Sequence, residues 1–175
     1  YGGFVLALAV LGGWGAGTLG RMSAVSGLII AENYDSVVAA QDMKESLERQ
    51  DSAALFDLLG QHPRALGQMA QHRSRFDAAF ARAEANITET GEPEVIASIR
   101  MGRDDYYRLF DAFLAASGDR SRTYFEILEP RFDAVRADCD RLLRLNQEAM
   151  RRKADVASAT ARRSISSIEA LRWMI

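Results

Sequence analysis

"IIAENYDSVVAAQDMKESLERQDSAALF", residues Ile29–Phe56, contains neither Gly nor Pro. Nothing in it alternates apolar and polar over a strand length, so it reads as one long helix. It follows directly on a Gly-rich apolar segment, and its root therefore lies in a hydrophobic run. A long polar-faced helix growing out of such a run is the feature around which the rest of the chain must be arranged.

The chain has 175 residues, enough for one domain with a real core. Lys and Arg total 22 and Asp and Glu 24, a net charge of −2. No basic stripe is concentrated anywhere, which excludes a nucleic-acid footprint. Ala, Leu, Arg, Glu and Asp dominate, and the only prolines are Pro63, Pro93 and Pro130. This is an all-helix composition. Cys139 is the single cysteine, so no internal disulfide can form. The chain opens on Tyr1 rather than Met, which predicts a piece of a longer protein.

No charged residue precedes Arg21. A membrane span needs roughly 20 apolar residues, and residues 1–20 nearly fill that length. A signal peptide is the competing reading, but it should show a basic segment and a small-residue cleavage site. Gly13 and Gly17 form a G-x-x-x-G pair that lets two membrane helices approach closely; the other reading is glycine simply tolerated in lipid. At the far end, residues 166–175 turn apolar but carry Glu169 and Arg172. They would be the start of a second span. The expected division is a partial first span over 1–20, a helical domain over 21–165, and a possible second span from 166.

The helix breaks are explicit. Gly60 ends the first helix and Pro63 lies just beyond it. The second helix should run from Pro63 to Ile87, with a seam of Leu66, Met69, Arg73, Phe76, Phe80, Ala83 and Ile87. "TETGEPE" is a turn, and Pro93 opens a third helix with the seam Ile96, Ile99, Arg103, Tyr106, Phe110 and Phe113. A third turn is expected over Gly118–Pro130, holding the short helical piece "TYFEILE". No Gly or Pro follows Pro130, so the last helix should be long. Its seam is Phe132, Val135, Cys139, Leu142, Asn146, Ala149, Lys153, Val156 and Thr160. Short loops make neighbours antiparallel, so the expected fold is an all-α, antiparallel up-down four-helix bundle, its first and last helices continuing into membrane spans. Within the first helix, Asp51 and Ser52 are cap-type residues. Either the helix kinks there and folds Leu55, Phe56, Leu58 and Leu59 over the bundle end, or it runs on uninterrupted.

"ENYDSVVAAQDMKESLERQDSAALF", "ANITETGEPE" and "LEPRFDAVRADCDRLLRLNQEAMRRKADVASATARRSI" resemble the extracytoplasmic four-helix-bundle sensor region of bacterial membrane-bound sensor histidine kinases. The resemblance covers about Glu32–Ile165. It implies a homodimer in the inner membrane with a periplasmic bundle and two spans per protomer. It also implies a parent chain continuing into a phospho-accepting histidine and an ATP-binding kinase domain that addresses a cytoplasmic response regulator. A ligand-binding domain of a chemoreceptor shares the architecture, and a membrane-anchored structural bundle is a third reading.

The chain carries no Gly-rich phosphate loop, no Cys/His cluster and no Glu-x-x-His pair. No catalytic residue, metal site or cofactor is therefore expected in it. His62 and His72 read as surface polar residues. Asn86, in "NIT", reads as a helix end. Arg73 and Arg103 interrupt apolar seams on neighbouring helices. A buried charge costs several kcal/mol unless paired, and Arg suits bidentate binding of an oxyanion. They are the candidate ligand-binding residues, for an anionic ligand or acidic partner; the alternative is that each reaches the surface or pairs with Asp77, Glu84 or Asp104. Asn33, Asn146 and Lys153 are polar seam positions of the kind that fix helix register. Tyr106, Tyr107 and Tyr124 line either a pocket or, more simply, the core.

Overall fold

A computed structural model describes residues 33–172, and the side chains of these except residue 161 and residues 164–172. The apolar run of residues 1–20, the Gly13/Gly17 pair and the last three residues lie outside the described residues. Among the described residues every regular element is a helix. Helix α1 covers residues 33–58. Then come α2 (His62–Ala85), α3 (Glu92–Ala115), the single turn α4 (Arg120–Thr123), a π-helical turn (Tyr124–Leu128) and α5 (Glu129–Arg172). None of these helices is long and apolar enough to cross a membrane.

Two glycines stand at helix boundaries, Gly60 after α1 and Gly91 as the N-cap of α3. Gly60 (φ 79°) and Gly91 (φ 92°) are the two described residues with positive φ, a conformation that costs a residue with Cβ. Pro63 and Pro93 fall in the first turns of α2 and α3, where a missing N–H is harmless. Asp51 and Ser52 do not break α1. The Ser52 hydroxyl donates back to the Glu48 carbonyl at 3.0 Å, and the Asp51 carboxylate accepts from the Tyr124 hydroxyl at 2.9 Å. The kinked alternative is thereby corrected: both polar side chains are consumed without cutting the helix. Pro130 is no break either. The Glu129 N–H bonds the Tyr124 carbonyl, five residues back. This wider π turn gives the ring of Pro130 room where an α turn would drive it against a carbonyl. The expected turn over Gly118–Pro130 is confined to the stretch between α3 and α4.

Residues Asn33–Glu148 form one compact unit. Within it, cross-helix partners run in opposite order. From α1 to α2 they are Ser36 with Asn86, Asp42 with Arg82, and Gln50 with His72. From α3 to α5 they are Glu92 with Asn146, Ser98 with Asp138, and Asp105 with Arg131. From α1 to α5, Asn33 meets Asn146, and Lys44 meets Asp140 at 2.5 Å. The core is built by Met43 and Leu47 of α1, Phe76 and Phe80 of α2, Ile99, Tyr106, Phe110 and Phe113 of α3, and Val135, Cys139 and Leu142 of α5. The rings of Tyr106, Phe110 and Phe113 stack edge-to-face at 6.0 Å along α3. Gly102 of α3 lets α5 approach closely: a Cβ there would lie 2.9 Å from Val135 Cγ2.

The seams of α3 and α5 fall where the sequence places them, α5 as far as Ala149. That of α2 holds at Met69, Phe76, Phe80 and Ala83 and fails at its two ends. Leu66 is 44 % and Ile87 43 % exposed, while Ala65, His72 and Ala79 are buried. The buried face also takes in these smaller residues, and α1 likewise buries Ala39, Ala40, Ala53 and Ala54 completely. His72 is consequently an interior residue, not the surface one expected. The second unit includes the α5 residues from Ala149 onward; there Lys153 and Thr160 are half-buried and Val156 is exposed.

Candidate functional site

Arg73 and Arg103 sit on one α2–α3 face, and both already hold carboxylates of the chain. Arg73 forks onto Asp111, with Nη2 donating to Oδ1 at 2.6 Å and Nη1 to Oδ2 at 3.3 Å. Its Nη2 also donates to the Tyr107 carbonyl at 3.1 Å. The guanidinium lies 4.7 Å over the Tyr107 ring. Its Nε is buried without a hydrogen-bond partner. Arg103 donates through Nε and Nη2 to Asp104 at 2.8 and 2.7 Å, and through Nη1 to Asp77 at 3.4 Å. It lies over the Phe80 ring.

Between the two arginines stands Tyr107. Its hydroxyl donates to the Arg73 carbonyl at 3.4 Å or to Asp77 at 3.3 Å. Burial, and then Asp77, push the Tyr107 phenol well above its ordinary range, so it remains a donor. The arginines are thus linked through Tyr107 and Asp77 rather than facing each other across open space. Asp111 is 61 % exposed at its side chain, so an anion arriving at Arg73 has one exchangeable carboxylate to displace. Asp77 and Asp104 are among the partners expected from sequence; Asp111 was not, and Glu84 is taken by Arg100.

Deeper lie Asn33 and Asn146, which the sequence marks as polar seam positions, and Glu92, which it does not. Glu92 is 1 % exposed and Asn146 fully buried. Glu92 Oε2 accepts from the N–H groups of Thr88 and Glu89 at 2.6 and 2.8 Å, closing the α2–α3 turn from the first residue of α3 as a capping box does. Its Oε1 accepts from Asn146 Nδ2 at 2.7 Å. Asn146 Oδ1 in turn accepts from Asn33 Nδ2 at 3.0 Å. One buried chain of hydrogen bonds therefore joins α1, α5 and the α2–α3 turn. Asn86, expected as a helix end, caps α2 and donates to Ser36 at 3.0 Å.

At the other end of this unit, Asp57 is buried and ion-paired to Arg120. It also accepts from His62 Nδ1 at 2.5 Å. The Arg120 guanidinium lies 4.8 Å over Phe113. These three side chains tie the end of α1, the start of α2 and α4 together. Their partners lie in other elements, so no local spacing announced them.

Midway, the Gln50 amide donates to the His72 carbonyl at 3.1 Å. Gln50 Oε1, the Tyr106 hydroxyl and His72 Nδ1 are enclosed without partners. Desolvation, helped by Arg75 and Arg49, lowers the His72 pKa and keeps the ring neutral. Tyr106, Tyr107 and Tyr124 belong to the aromatic stack of the core. Among the described residues no cluster of three or more His, Cys, Asp or Glu side chains is placed to hold a metal ion. No family model, curated protein or solved structure matches this chain.

Proposed function

We propose that this chain is the signal-input bundle of a membrane-bound sensor histidine kinase. In this reading it is an up-and-down antiparallel bundle that acts as a homodimer. The long outer helices run to spans in the bacterial inner membrane, with the bundle in the periplasm. The parent chain supplies the ATP-dependent kinase and addresses a response regulator. The opposite order of partners along each helix pair supports the up-and-down arrangement. The length of α5 supports a transmitting role: its 44 residues make about 66 Å of helix, against about 36 Å for the 24 residues of α2 or α3.

The observation that carries the reading is the buried bridge from Asn33 through Asn146 to Glu92. A polar bridge costs core stability and repays it in register. It fixes α5 against α1 at one axial position, and a shift of an ångström or two, the scale of helix-shift switches, breaks it. A ligand that exchanges with Asp111 at Arg73, with Arg103 beside it, would pull α2 and α3 into a new packing that the α2–α3 turn hands to Glu92. The test is Asn146→Leu in the full-length protein in its membrane. The expected result is an altered basal output with the protein still folded and inserted. Unchanged output from a folded, inserted variant argues for a structural bundle instead.

A further inference from the structure

A surface cleft of about 320 Å³ opens between α1 and α2, lined by Asp42, Glu45 and Ser46 on one side and His72, Arg75 and Arg82 on the other. It is small but within the range of a metabolite site. Its walls are of opposite sign, acidic from α1 and basic from α2. Arg82 and Asp42 pair with each other across it. Glu45 and Arg75 form no ion pair among the described residues, so each wall retains one unneutralised charge. His72 is 8 % exposed. Its Nδ1 is enclosed without a hydrogen-bond partner. No hydrogen bond among the described residues engages its Nε2 either.

We propose that this cleft binds a small zwitterion, a free amino acid, with its ammonium group on Glu45 and its carboxylate on Arg75. His72 Nε2–H is the neutral donor that receives the carboxylate or a side-chain carbonyl. A simple anion would meet Glu45 and Asp42 as well as the arginines, and a simple cation the reverse. Only a ligand carrying both charges satisfies both walls. The proposal does not depend on the sensor reading, since it concerns binding to the chain itself.

The test is calorimetric titration of the purified chain with the proteinogenic amino acids, each tested singly. The best binder is then compared with its deaminated acid and its decarboxylated amine. The expected result is that both half-molecules bind at least about tenfold more weakly, a loss of about 1.4 kcal/mol each. Glu45→Gln should weaken the amino acid about tenfold without weakening the deaminated acid, and Arg75→Gln should weaken the amino acid about tenfold without weakening the decarboxylated amine. Both residues are exposed, so both variants should melt with the wild type. Binding of no amino acid at millimolar concentration overturns the proposal. So does a half-molecule that binds as tightly as the whole, or an affinity indifferent to both substitutions.

Discussion

The Asn33 amide donates to the Asn146 side-chain oxygen at 3.0 Å across 113 positions of sequence, and neither residue is exposed to solvent. Each helix brings one amide to the contact, and Asn146 passes the connection on to Glu92. A buried amide between two long helices has few places to go if they slide. The apolar layers beside it would tolerate the same slide at lower cost.

Asn146→Ala removes the donor from Glu92 and the acceptor from Asn33 together. Asn33 keeps Glu89 and Thr88 as acceptors, but the buried Glu92 Oε1 loses its donor. The expected loss is about 2–4 kcal/mol. Urea unfolding followed by circular dichroism checks it: the midpoint should fall with an unchanged slope. A loss below about 0.5 kcal/mol would mean that water replaces the bridge.

Arg120→Met strands Asp57, whose remaining partner is His62. Breaking a buried pair from one side costs about 3–5 kcal/mol. Adding Asp57→Leu removes the stranded charge and should recover most of that. A double variant as unstable as the two single losses combined would show that the pair is not a unit.

Gly102→Ala sets two effects against each other. Alanine gains about 1 kcal/mol of helix propensity, but its Cβ lies 2.9 Å from Val135 Cγ2. Overpacking of this kind costs about 1–3 kcal/mol, and β-branched Val135 has little freedom to turn aside. The variant should be less stable than wild type, and in a Val135→Ala background the same substitution should stabilise. Thermal melting of the four proteins reads the sign in each background. The same sign in both would contradict the close approach of α3 and α5.

His72 makes stability depend on pH in a defined direction. Burial and two arginines depress its pKa below the ordinary 6.5. The unfolded chain therefore takes up the proton first. The contribution of His72 is present above pH 6.5 and is lost as pH falls below it toward the depressed value. His72→Gln should flatten that part of the stability–pH curve, with His62→Gln as the control for the other histidine. Parallel curves for wild type and His72→Gln would place the imidazole in solvent.

The sequence disclosed helix type and order because Gly and Pro stand at the breaks and apolar residues recur every three or four positions. It disclosed the α3 and α5 seams because Phe, Ile, Leu and Val mark them. It placed the middle of the α2 seam, through Met69, Phe76, Phe80 and Ala83, but not its ends, because two stripes overlap there, one through Leu66 and Arg73, the other through Ala65 and His72, and side-chain size favours the first. Asp57 and Glu92 were invisible for a related reason. A buried acid is recognisable by its partner, and Arg120 and Asn146 lie on other helices. Asn33 and Asn146 were found because a polar residue in an apolar seam stands out without its partner.

In the proposed sensor, α5 carries displacement along its length. Inserting one, two, three and four alanines between Ala154 and Asp155, both exposed, rotates everything beyond by about 100° per residue. The measurement is the basal autophosphorylation of the full-length protein in membranes for each insertion. The account predicts output that rises and falls with the helical period and returns toward the wild-type level near four residues. Output indifferent to all four insertions would contradict it.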